Sequence, residues 1–221
     1  MPRAITILTE QFADWETGLF NATARLYYGF DTRFATPQGK PVLSSGGMLV
    51  TPQLSIDEID LDGLDVLLLC GGPAWQSADA PDIQALLLEA QRRQVVLAAI
   101  CDGTRVLAQA GLLDQVRHTS NSADNLTSIN TYAGAALYQD VPHAVADRRV
   151  ITAPGTAPVM FTAAVLAALG IADDELKGYL ALHAAEHGRQ GSTTKLPQIK
   201  IFALSAPPFS CFCSRILPSA L

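Results

Sequence analysis

A run of apolar residues, Val95 to Ile100, ends on Cys101-Asp102-Gly103. A thiol in such a place has two readings. Free cysteine is among the most buried residue types, so Cys101 could simply fill space. If it instead sits between a buried strand and the first turn of a helix, the helix's unpaired N–H groups and dipole favour the thiolate, the form that acts as a nucleophile. Gly103 leaves room beside such a turn, as the second glycine of Gly-x-Ser-x-Gly does, although Ala99 stands where the first would be. Two other apolar runs end on residues suited to assist. Gly71-Gly72 either makes an ordinary turn or aims backbone N–H groups at a developing oxyanion, with the Asp102 N–H as the second donor. Glu16, in Glu10-Gln-Phe-Ala-Asp-Trp-Glu16, could share a proton with Cys101 as acid or base, or face solvent near a helix N-terminus. Asp14 is placed to cap that helix. An Asp102 carboxylate turned towards the thiol would oppose its ionisation, so that side chain is expected to point outward.

These groups need a scaffold that brings several strand ends together. Apolar spacing predicts a strand over residues 4–9, a helix over 14–28 and a short strand over 32–36, then two short strands about Ser44-Ser45-Gly46-Gly47. Further buried strands are predicted at 65–70, 95–100 and 148–152, with helices at 81–93, 103–111, 156–169 and 173–186. Fully apolar strands alternating with helices imply an α/β three-layer sandwich. Its sheet is mostly parallel and doubly wound, with helices on both faces. Ligands bind such sheets beyond the carboxyl ends of the strands, where Glu16, Gly71-Gly72 and Cys101 all fall. One domain over residues 1–188 is expected, followed by a peripheral, irregular tail over 189–221 that is rich in proline and lacks period.

Composition narrows the partners. Of 221 residues, 49% are hydrophobic and only 16% charged, the balance of a globular domain with a large core. A net charge of -6, with no run of Lys or Arg, argues against nucleic acid or an anionic membrane and for a small-molecule substrate. The N-terminal segment lacks the apolar stretch of a signal peptide, and no segment is long and apolar enough to span a bilayer, so a cytoplasmic protein is expected. Cys70, Cys101, Cys211 and Cys213 have no metal-ligand spacing and are expected to be free thiols. His183-Ala-Ala-Glu186-His187 matches a zinc pattern, but it ends a helix and has no evident third ligand, so no metal is expected.

The ordered set Ala13-Asp-Trp-Glu16, Cys70-Gly-Gly72, Ala98-Ala-Ile-Cys-Asp-Gly103 and Ile151-Thr-Ala-Pro-Gly-Thr-Ala-Pro158 resembles the ThiJ/PfpI superfamily, which has the class I glutamine amidotransferase-like fold. The resemblance runs from about residue 4 to 169. It implies that Cys101 is the reactive cysteine, Glu16 the buried glutamate that hydrogen-bonds it, and the Gly72 and Asp102 backbones the oxyanion donors. Gly71 and Trp15 would then line the pocket. The implied activity is cofactor-independent cysteine chemistry of hydrolase, hydratase or glyoxalase/deglycase type on a small carbonyl or amide-like substrate, in a homodimer. The alternative is a stress-response redox sensor or chaperone-like protein that uses Cys101 oxidation without turnover.

Departures from the family pattern matter as much. Protease-like members carry histidine directly after the cysteine, where this chain has Asp102. Deglycase-like members place a histidine about twenty residues later, where this chain has Asn121, with His118 three residues before it. His118 could approach the site; the preferred reading is a satisfied histidine at a strand end. Amidotransferase domains complete a triad with a late His-x-Glu, which this chain lacks, so no synthase partner is expected.

Overall fold

In the computed structural model, which describes residues 1–171 and 173–188, strands alternate with helices along the chain. The strands are β1 (Arg3–Ile7), β2 (Asp31–Thr36), β3 (Val42–Leu43), β4 (Leu49–Val50), β5 (Leu54–Ser55), β6 (Val66–Leu69), β7 (Val96–Ile100), β8 (Val145–Asp147) and β9 (Val150–Ala153). The helices are α1 (Asp14–Tyr28), α2 (Gln84–Arg92), α3 (Gly103–Gln109), α4 (Ala123–Thr127), α5 (Pro158–Ala168) and α6 (Asp174–Gly188). Seven strands form one sheet in the order β5-β2-β1-β6-β7-β9-β8, parallel throughout except for the β8–β9 pair. β3 and β4 form a separate antiparallel hairpin about Ser44 to Gly47.

The fully apolar central strands exist because both sheet faces are covered, and the strand period of two divides their side chains between two cores. On β6 and β7, Leu67, Leu69, Leu97 and Ala99 pack with Leu87 of α2 and Leu107 of α3. Their neighbours Val66, Leu68, Val96, Ala98 and Ile100 pack with Phe20 of α1 and Phe161 of α5. This is the doubly wound sandwich that the alternation of elements predicts.

The helix expected over 81–93 begins later, at Gln84; Asp82 Oδ1 instead accepts the Gln84 N–H in the loop before it. Two short edge strands, β5 and β8, and the five-residue α4 lack enough apolar repeats to be read from the sequence. Asp14 does not cap α1. Ala13 holds the cap position, and Asp14 Oδ2 accepts the Gly46 N–H at 2.8 Å, tying the helix start to the β3–β4 turn. The expected tail, residues 189–221, lies outside the described residues.

β1 is flanked by β2 on one side and β6 on the other, so the strand order reverses between β1 and β6. At such a switch point the loops leaving neighbouring strands diverge to opposite faces and open a crevice. Glu16, Gly71 and Cys101 lie just beyond β1, β6 and β7 respectively.

Candidate active site

Cys101 occupies a strained turn. Its N–H still continues the sheet by donating to Ala153 O at 2.9 Å, but its φ of 57° lies in the left-handed region, which a side chain disfavours. Such strain costs on the order of 1–3 kcal/mol and persists only where the surroundings hold it. The hold is visible on both sides: Thr104 Oγ1 donates to Cys101 O at 2.6 Å, and α3 starts at Gly103, where an added Cβ would stand 2.5 Å from Leu69 O. The bend projects a half-buried sulfur off the strand end.

Glu16 comes to that sulfur from the first turn of α1 and is fully buried. Its Oε2 accepts the Gly71 N–H at 2.7 Å and lies 3.8 Å from the Cys70 sulfur. Its Oε1 has no hydrogen-bond partner among the described residues. Two glycines enclose the carboxyl and the thiol together. A Cβ at Gly71 would meet Cys101 Cβ and Glu16 Oε2 at 2.5 Å each, and one at Gly155 would meet Glu16 Oε1 at 2.8 Å and Cys101 Sγ at 3.1 Å. Only hydrogen at both positions allows the acid and the thiol to face each other.

Asn121 closes the set. Its Nδ2 donates to Cys101 Sγ at 3.1 Å while its Oδ1 accepts the Gly155 N–H at 2.9 Å, which fixes the amide so that its donor faces the sulfur. Trp15, 57% exposed, donates Nε1–H to Gly155 O at 3.0 Å and so stands at the rim beside the same loop. Asp102 is turned to Gln76, whose Nε2 donates to its Oδ2 at 2.9 Å. The Gly72 and Asp102 N–H groups, expected as oxyanion donors, are not taken by another group of the described residues.

His118 is elsewhere. It is fully buried, with Nδ1 2.8 Å from Val116 O and Nε2 2.6 Å from the Tyr132 hydroxyl, and Tyr132 and Tyr138 pack edge-on against its ring. Both ring nitrogens are occupied, so it serves the packing beneath the 132–138 loop rather than the thiol. Gly155 is the residue that sequence reasoning did not single out. Its signal was its place just past β9, at another carboxyl end of the same parallel sheet, next to that of β7.

Electrostatics corrects one expectation. Burial, followed by the negative charge of Glu16, pushes the Cys101 thiol up to about 12, although the Asn121 donor acts in the opposite sense. The expected lowering by α3 is outweighed, since the helix has only seven residues and the sulfur is largely removed from water. Burial likewise raises the Glu16 carboxyl to about 7, against lowering by the nearby Cys101 thiol, the Gly71 N–H and the Cys70 thiol. Two anions in one dry site repel, so the pair holds at least one proton near neutral pH and titrates as a unit. Cys70, fully buried, has its thiol pushed far up by desolvation and stays protonated.

The Glu16 shift has a sign that can be measured. A carboxyl raised from 4.5 unfolded to about 7 folded makes the native state bind more protons across that window. Stability is therefore greatest below the unfolded value and falls as pH rises through about 7, by about 3 kcal/mol in total. Denaturant unfolding between pH 4.5 and 8 should show this decline in the wild type and lose it in Glu16→Gln. A Glu16→Gln profile with the wild-type slope would show that Glu16 is not the group.

Known proteins resemble this chain over most of its length. Residues 2–168 match the DJ-1/PfpI family. A DJ-1 superfamily protein from Agrobacterium tumefaciens has a solved structure that superposes with a TM-score of 0.82 at 40% identity, covering 85% of this chain and all of that one. A ThiJ/PfpI family protein from Bacillus anthracis superposes at 0.76 with 28% identity, over 83% of this chain and 91% of the other. Among curated proteins, Bacillus subtilis YdeA, named an uncharacterized protease, is 31% identical over 166 residues, 75% of this chain and 82% of its own length.

Proposed function

The chain belongs to the DJ-1/PfpI family, and from that premise we propose that it is a cysteine-dependent enzyme acting on a small carbonyl or amide-like substrate, with Cys101 as nucleophile and Glu16 as its proton partner. The observation that carries this reading is the strained Cys101 turn, whose sulfur is enclosed by Glu16, Asn121 and two glycines that must lack side chains. A residue kept only to fill a core does not need such a backbone or such neighbours.

The first step follows from the pairing. Cys101 passes its proton to the Glu16 carboxylate, and the resulting thiolate, held by the Asn121 N–H, attacks the carbonyl carbon. A bond forms between Sγ and carbon while the carbonyl electron pair moves onto oxygen. That oxygen meets the unengaged N–H groups of Gly72 and Asp102, which lie at the ends of neighbouring strands. Glu16, now neutral, returns the proton to the oxyanion or to a departing amine. A carboxyl near 7 suits both roles, because neither form is scarce at neutral pH.

The name of the Bacillus relative suggests peptide bonds, but no histidine hydrogen-bonds the Cys101 sulfur among the described residues. A Cys-His pairing of the protease kind therefore gains no support from the site. A redox reading has one observation in its favour: a protonated Glu16 and the Asn121 amide could both donate to the oxygens of an oxidised Cys101. The same scaffold serves either.

The test is alkylation of the full-length protein by limiting iodoacetamide at pH 6, followed by turnover assays with small amides, isocyanides and methylglyoxal. Because the thiol is otherwise held protonated, Cys101 should react at a rate that depends on Glu16 accepting its proton and that falls in Glu16→Gln; a rate unchanged in Glu16→Gln would sink the proton-sharing reading. Asn121→Ala should slow alkylation by roughly tenfold at pH 6, since a donor to a charged sulfur is lost. An unchanged rate would remove Asn121 from the site. Mass spectrometry after mild peroxide separates turnover from sensing.

A further inference from the structure

A second concavity lies at the opposite end of β7 from Cys101, where the amino ends of β7 and β9 meet α2 and the end of α3. It encloses about 550 Å³, within the range of small-molecule sites. Its floor is apolar, formed by Val95, Leu97, Leu112 and Val116, with Leu88 of α2 at one wall. The polar lining differs in kind: Arg92, Arg148 and Arg149 with Gln91, Gln94 and Gln115, and no acidic residue.

The charge there is not already used. Arg92 pairs with Glu89, but neither Arg148 nor Arg149 forms an ion pair among the described residues. Asp147, the nearest acid in sequence, accepts instead from Arg117. Arg149 Nε is buried without a hydrogen-bond partner, the kind of donor that a folded protein seldom leaves unanswered. The turn between β8 and β9 that carries both arginines holds Arg148 at a φ of 53°, while Arg149 O accepts the Leu97 N–H at 2.9 Å. Arg148, exposed, and Arg149, half-buried, thus both line the cavity beside its apolar floor.

We propose that this cavity binds an organic anion, a carboxylate or phosphate group carried on an apolar body, with Arg148 and Arg149 on the oxyanion and Leu88, Leu97 and Val116 on the body. Guanidinium groups recognise both headgroups through paired N–H donors. The glutamine amides add neutral donors without introducing repulsion. The site does not depend on Cys101.

The test is titration of the full-length protein at low ionic strength with octanoate, octyl phosphate, octan-1-ol and inorganic phosphate, by calorimetry and by the amide NMR shifts of Gly111 and Val116. At least one octyl anion should bind more tightly than the alcohol and than inorganic phosphate by about tenfold or more. Arg148→Gln with Arg149→Gln should remove that preference, Leu88→Trp should block binding by filling the wall, and Cys101→Ser should leave it unchanged. The proposal is overturned if neither octyl anion saturates, if octan-1-ol or inorganic phosphate binds as tightly as both anions, or if both the arginine and the Leu88 variants bind as the wild type does.

Discussion

With Cys101 as the proposed nucleophile, Cys101→Ser should remove turnover, by about 10³-fold or more, while the fold persists. The serine hydroxyl is far less acidic than the thiol, and a Glu16 carboxyl near 7 cannot remove its proton to any useful extent. Glu16→Gln keeps the shape of the carboxyl but cannot exchange a proton, so it should lower turnover by about 10²–10³-fold. It should also change the form of the pH profile. In the wild type the rate of Cys101 alkylation should bend near pH 7, where the pair changes its proton count; in Glu16→Gln the thiol should titrate as a single group, without that bend. A merely structural Glu16 would alter stability and leave the profile in place. Should Glu16→Gln retain both the wild-type rate and its pH dependence, the proton-sharing mechanism is wrong.

Gly103→Ala is the substitution expected to cost the most stability. The new Cβ would stand 2.5 Å from the carbonyl oxygen of Leu69 and 3.1 Å from its Cβ, and Leu69 ends a central, fully buried strand. Neither backbone can yield without disturbing the sheet or the start of α3. A loss of about 2–4 kcal/mol is expected, or a fall in Tm of roughly 5–15 °C. Gly18→Ala provides the control of opposite sign. Gly18 is exposed within α1 and a Cβ there meets nothing within 4 Å, so alanine should stabilise by about 0.5–1 kcal/mol through helix propensity. Thermal unfolding of the two variants checks both. Equal effects would mean that the close approach of β6 to the α3 start is not as described.

The order of elements was legible in the sequence because burial on both faces leaves a plain mark. Val66 to Leu69 and Val96 to Ile100 are unbroken apolar strands, and α2 between them buries Leu87 and Ala90 on one face. The strand ends that could carry chemistry were legible for the same reason: a parallel sheet presents all its carboxyl ends on one edge, so Glu16, Gly71-Gly72 and Cys101 could be picked by position. The short edge strands β5 and β8 were not legible, since two or three residues cannot show a period.

What distance along the chain cannot give is which side chains meet. His118 and Asn121 stand three residues apart in the sequence, and only the packing of Tyr132 and Tyr138 around His118 decides that the amide, not the imidazole, faces the sulfur. Likewise Gly155 belongs to the pair's enclosure through a contact that spans more than fifty residues of chain, and Asp14 leaves the helix cap because the β3–β4 turn offers it a donor. The charge state was also decided in three dimensions. The sequence placed Cys101 at a helix start, which favours a thiolate, but burial and the neighbouring carboxyl act more strongly on the folded site than a short helix dipole does. Local pattern determines which residues reach the sheet edge; desolvation and proximity, which exist only after folding, decide which of them share a proton.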